Sequence, residues 1–164
     1  MPPTSKRVLR YDLGSFDNNL CLKPPLMLWL VMLYLARAIL LPFISGVSSM
    51  GGAADASSLT RGMFGFEDFV AATLTLIVLL TFFKRTPSAS QVWRSIWRSG
   101  RIILVAAAVV DLAVSLYRFL HITDTNSLRP ELVLLACTVD AYIVVYLFRS
   151  RRVRDVFNDF PTPS

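Results

Sequence analysis

Three ionisable residues stand alone inside otherwise apolar stretches of this 164-residue sequence: Arg37, Asp111 and Asp140. A charge left in hydrocarbon costs at least about 2.5–3.5 kcal/mol even on insertion scales. Three separate ones would be hard to retain, so the arginine is expected to pair with the aspartates. Counting helix rise from the ends of their apolar runs puts each about 15–16 Å deep, near the middle of a core about 30 Å thick. Ala107, Asp111 and Ser115 repeat at four-residue spacing, as do Ala136 and Asp140. Small neighbours on such a stripe let helices approach closely. Two acids against one base leave one negative charge in excess, and one aspartate is expected to carry a proton. The cluster can serve as a lock between helices, or as a proton relay or ion site. No polar stretch leads to it from either end, which favours the lock.

The rest of the sequence offers little chemistry. Its one histidine, His121, lies between apolar runs with Arg118, Asp124 and Arg129 nearby. That group can hold a phosphate head group, but solvated loop charges are far commoner. There is no HExxH pair, no Gly-rich phosphate loop and no nucleophile elbow. No catalytic residue, metal ligand or cofactor is expected, and the chain does not read as an enzyme. Cys21 precedes the first apolar run and Cys137 lies inside the last, so they are not expected to pair.

The elements that must position the ionic residues are apolar runs. The composition is 54% hydrophobic and 17% charged, with a mean hydropathy of +0.55. Soluble domains carry about 25% charge. Spans are expected over about 26–45, 66–83, 102–120 and 130–148. The second is the weakest, with Glu67 and Asp68 near one end. Pro130 suits a first helical turn, where its missing N–H costs nothing. Residues 1–25 then form an N-terminal segment, 26–148 a four-helix transmembrane domain, and 149–164 a basic tail.

Charge sets the orientation. The N-terminal segment, the loop between runs two and three, and the tail hold 13 of the 17 Lys and Arg residues; the other two loops hold Arg61, Arg118 and Arg129. By the positive-inside rule both termini are cytoplasmic, which needs an even number of spans. The same rule accounts for the net charge of +6 without a nucleic-acid partner. The stretch Ala53–Ala56 superficially suits signal-peptide cleavage. However, the run before it is about 20 residues long rather than 7–15, and a polar leader precedes it. Gly46–Gly62 is rich in Gly, Ser and Ala and reads as a flexible external connection.

Two further segments read as surface elements. Trp93, Ile96 and Trp97 recur at helical spacing with Arg94, Arg98 and Arg101 beside them. Tryptophan favours the headgroup level and arginine favours anionic lipid, so a short in-plane helix anchored by Trp93, Arg94, Trp97 and Arg98 is expected. In the tail, Val153, Val156, Phe157 and Phe160 fall on one helical face, which can lie on the membrane or dock a partner.

The two ends of the chain carry a resemblance. Tyr11, the stretch Leu22-Lys23-Pro24-Pro25-Leu26, Trp29 and Leu33–Arg37 resemble the opening of the YfeZ-like proteins, a family of small bacterial inner-membrane proteins of unknown function. Arg149–Phe157, followed by Phe160-Pro161, is similar to that family's closing segment. The resemblance implies a bacterial inner membrane and brings no substrate, cofactor or site residue. The expectation is an all-α, four-span bundle acting as a non-enzymatic accessory or scaffold subunit, with lipid and another membrane protein or a second copy as partners. The alternative is a small proton- or ion-coupled transporter using Asp111 or Asp140.

Overall fold

The computed structural model describes residues 14, 16, 21–50, 65–86, 89–120 and 130–161. His121, Asp124, Arg129, Arg61 and most of the 46–62 connection lie outside them. The described residues are helical apart from short connections and one isolated bridge between Phe16 and Leu22.

Helix α1 (Leu26–Leu35) starts after the extended Pro25 and turns Leu28, Val31, Met32 and Leu35 inward, one stripe at helical spacing. Helix α2 (Arg37–Met50) follows after a single residue, Ala36, and the chain bends by 74° there. The first apolar run is therefore two helices rather than the one straight span expected. Pro42 sits inside α2, where its missing N–H leaves the Ala38 carbonyl without its usual helical donor.

Helix α3 (Phe66–Phe83) and helix α4 (Gln91–Leu120) are each long and apolar enough to cross a membrane. Helix α5 (Pro130–Arg149) is followed after Ser150 by helix α6 (Arg151–Asn158), which turns away by 63°. Ser150 caps α6, its hydroxyl accepting from the Val153 N–H at 3.3 Å. Counting each bent pair as one span, up to four segments have the length and apolarity to cross.

Helix α4 is the axis of the bundle and packs along α3, α5 and α6, while α1 rests on α3 and α4. Its buried stripe is Trp97, Gly100, Leu104, Ala107, Ala108, Asp111 and Ser115. The facing stripe of α3 is Ala71, Ala72, Thr75, Val78 and Thr81. Such small residues bring backbones close. The outward faces are apolar: Leu30, Leu33, Ile77, Leu80, Val109, Leu116, Leu135, Val145 and Phe148 are all exposed.

One expected element does not exist as a separate piece. Gln91–Arg101 forms the first turns of α4, a continuous 30-residue helix, rather than a short in-plane helix. The two arrangements share the 3.6-residue period, so the spacing of Trp93 and Trp97 fits both.

Candidate ionic cluster and the basic end of the bundle

Arg37 opens α2 at the bend, and its guanidinium reaches across to α4. Nη1 donates to Asp111 Oδ2 at 2.8 Å and Nη2 to Oδ1 at 3.3 Å, a two-pronged pair. Nη1 also donates to the Tyr34 carbonyl at 3.1 Å. In an unbroken helix that carbonyl would take the N–H of Ala38. The arginine thus serves the backbone at the break as well as the acid opposite. Its guanidinium carbon lies 4.1 Å from the centre of the Tyr34 ring.

Asp140 enters from α5 and has no solvent exposure. Its Oδ2 accepts from the Ser115 hydroxyl at 3.1 Å, while Oδ1 has no hydrogen-bond partner among the described residues. Asp111 and Tyr34 stand close enough to interact with it electrostatically. The three residues singled out in the sequence are thus brought together, but unequally. Arg37 binds Asp111 directly, and Asp140 is held by a hydroxyl.

A second ionic link ties the opposite end of the bundle. Arg118 Nη2, near the end of α4, donates to Asp68 Oδ2 at 2.6 Å and to Glu67 at 3.4 Å. Asp68 is buried and also accepts the Gly65 N–H at 2.7 Å, capping α3. One carboxylate therefore starts one helix and clamps its antiparallel neighbour.

The basic end is closed by a backbone-directed network. Arg85 donates to the carbonyls of Leu22 at 3.1 Å and Asp159 at 2.8 Å, and the Leu22 N–H donates to Asp159 Oδ2 at 2.8 Å. The segment before α1, the α3–α4 connection and the segment after α6 therefore meet at one end. Arg101 donates to the carbonyls of Leu147 and Phe148 at 3.0 and 2.7 Å, satisfying the C-terminal turn of α5 where helix bonding runs out.

Two expectations about this end are corrected. Trp97 is not an outward anchor: it is 1% exposed, and its indole N–H donates to the Val156 carbonyl at 3.1 Å. Its ring packs 4.8 Å from that of Phe157. Val153, Val156 and Phe157 are equally not an open docking face, for all three are buried within this chain. Phe160 is half-buried beside them. Amphipathicity predicts that a face is covered, and here the cover is the chain's own α4. Trp93 and Arg94 are half-buried, and Arg98 is exposed.

Residues 11–159 match the family model described as a protein of unknown function, DUF2919. The chain belongs to the DUF2919 family. The matched stretch contains the whole ionic cluster and the network at the basic end. No curated protein and no solved structure matches the chain. Three participants in the packing of this DUF2919 protein were not anticipated from sequence: Arg118 with Asp68, Arg85 with Asp159, and Ser115 as the donor to Asp140. The first pair had a readable signal, since Asp68 and Arg118 end adjacent antiparallel runs with opposite charge. Arg85 had none, because its partners are backbone carbonyls. Among the described residues no group of His, Cys, Asp and Glu gathers to hold a metal.

Proposed function

We propose that this DUF2919 protein is a four-span, multi-pass protein of the bacterial inner membrane with both termini in the cytoplasm. In this reading it is a non-enzymatic accessory or scaffold subunit whose helices are locked by the Arg37–Asp111 pair. The apolar outer surface, together with the polar groups buried inside, carries the reading. Thr75, Thr81, Asp111, Ser115 and Asp140 are buried while Leu, Ile, Val and Phe cover the outside. A chain in water gains by the opposite arrangement, whereas in lipid the polar groups must be satisfied internally. The meeting of Leu22, Arg85 and Asp159 at one end supports placing both termini on one side. The resemblance to the YfeZ-like proteins supports the inner membrane.

The lock accounts for what Arg37 touches: every hydrogen bond described for it ends on α1 or α4. Since Val153, Val156 and Phe157 are buried, a partner protein or second copy would meet the lipid-facing helices or the basic end instead. The expected result is that the full chain resists alkaline extraction from membranes. Purification in mild detergent should also yield a stable companion, or a dimer by mass. A chain released into the soluble fraction would end the membrane reading.

A second reading rests on one observation, the unpartnered Oδ1 of the fully buried Asp140 beside a broken helix. Broken helices and midplane carboxylates recur in ion-coupled transporters. In that case Asp140→Asn should abolish proton flux in reconstituted vesicles while the protein still folds. For a pure lock, neither variant nor wild type would move protons.

A further inference from the structure

Asp140 is fully buried on α5. From α4, the Ser115 hydroxyl bonds its Oδ2, and the Asp111 carboxyl stands within hydrogen-bonding reach. From α1 and α2 the Tyr34 hydroxyl and the Arg37 guanidinium act on it, and Cys137 does so from α5 itself. Arg37 gives both of its terminal nitrogens to Asp111. Oδ1 of Asp140 is left without a donor among the described residues. Ionised carboxylates only accept hydrogen bonds, so two of them side by side cannot satisfy each other. One guanidinium and two carboxylates also sum to an excess negative charge, which is costly to hold inside a bundle.

One proton removes both faults. Placed on Oδ1, it turns an orphan acceptor into a donor for the Asp111 carboxylate, and the cluster becomes neutral. A metal cation fits less well. Calcium gathers about six to eight oxygens, and those of Asp111 are already turned to Arg37. We propose that the cluster is a proton-binding site, with the proton on Asp140 Oδ1 donated to Asp111, and that this proton holds α5 to α4. Helix α5 packs along α4 and on no other helix to a comparable extent. Apart from Ser115, the side chain that bonds it from α4 is Arg101, at the basic end. Loss of the proton sets two carboxylates against one guanidinium across this interface, and their repulsion loosens it. The assignment deepens the reading of Asp140 given above and rests on the same cluster. It holds for a lock as well as for a transporter, because occupancy does not require that protons cross.

The test uses the full-length protein in neutral detergent. An un-ionised carboxylic acid has a carbonyl infrared band apart from that of a carboxylate, and the band shifts in heavy water. At neutral pH wild type should show such a band. Asp140→Asn should lack it, and Asp140→Glu, which keeps an acid, should move it. The second measurement is the unfolding midpoint against pH. An aspartate exposed by unfolding ionises at about 3.9, so from about pH 5 to about pH 8 the folded chain holds one proton more than the unfolded chain. Stability then falls as pH rises, by about tenfold in the folding constant per pH unit relative to Asp140→Asn, until the proton leaves the folded state. Asp140→Asn, whose amide donates in place of the proton, should keep the wild-type midpoint at the acid end of that window. The wild-type band and Asp140→Glu keep the test decisive should Asp140→Asn not fold. A lack of proton flux in vesicles ends the transporter and leaves the bound proton, which is read without transport. No acid band in wild type, a band that Asp140→Glu leaves unmoved, or parallel pH dependences of wild type and Asp140→Asn would overturn the proposal. So would a midpoint that follows sodium concentration at constant pH.

Discussion

Removing the guanidinium of Arg37 would strand the Asp111 carboxylate in the bundle core, with Asp140 beside it. Breaking a buried pair in this way costs about 3–5 kcal/mol, far more than the pair itself contributes. Arg37→Leu should therefore sharply reduce folded protein and lower the unfolding midpoint in detergent. Adding Asp111→Asn should restore more of that loss than adding Asp140→Asn, because only Asp111 bonds the guanidinium directly. Additive effects of Arg37→Leu and Asp111→Asn would refute the pairing. That these charges meet was legible in the sequence, since isolated opposite charges at one depth have few other fates. Which aspartate takes the arginine was not legible, because it depends on the 74° bend that aims Arg37 at α4. Trp97 supplies a second check at this scale. Trp97→Phe keeps an aromatic ring but removes the indole donor to the Val156 carbonyl, which is left with the 3.3 Å bond from the Asp159 N–H, at a cost of about 0.5–1.5 kcal/mol. Trp93→Phe, at a half-buried position, should be nearly neutral. Equal tolerance of the two changes in thermal unfolding would return Trp97 to the role of lipid anchor.

Between elements, α6 packs tightly on α4 at Gly100. A Cβ there would meet the Phe157 ring at 2.6 Å and 2.9 Å. That ring is buried against Trp97 and must shift to admit the methyl group. Gly100→Ala should thus destabilise the folded chain by about 1–3 kcal/mol through overpacking, although alanine is the better helix former. A rise in the unfolding midpoint would show that α6 does not pack on α4 as described. The helices themselves were readable because a core about 30 Å thick demands long apolar runs. Their interruptions were less so. The bend at Ala36 carries neither Gly nor Pro, and Pro42 comes six residues later. No local propensity marks the break, and the Arg37 side chain is what serves the Tyr34 carbonyl there. The docking of α6 was hidden for another reason: an apolar face announces that it will be covered, not by which surface.

For the whole molecule, the decisive question is whether α1 and α2 together cross the bilayer or dip in and return. Helix α1 spans only about 15 Å at 1.5 Å per residue, half of a core about 30 Å thick. The 74° bend then sends α2 obliquely. A complete crossing puts the 51–64 connection outside and leaves four spans, so both termini share the cytoplasm. A re-entrant pair keeps that connection inside, leaves three spans and sends the basic tail outward with Arg149, Arg151, Arg152 and Arg154. Loop charge opposes the second outcome, since Lys and Arg near span ends are retained on the cytoplasmic side. The joining of the two terminal segments through Arg85, Leu22 and Asp159 opposes it as well, because segments bonded at one end of a bundle share a compartment. Reporters active only outside the cytoplasm should therefore work when fused after residue 56 and stay silent at either terminus. A reporter fluorescent only inside should show the reverse. A silent reporter after residue 56 with an active one at the C-terminus would replace the crossing by a re-entrant loop. Arg37 would then reach Asp111 from a helix pair that never leaves the cytoplasmic half of the membrane.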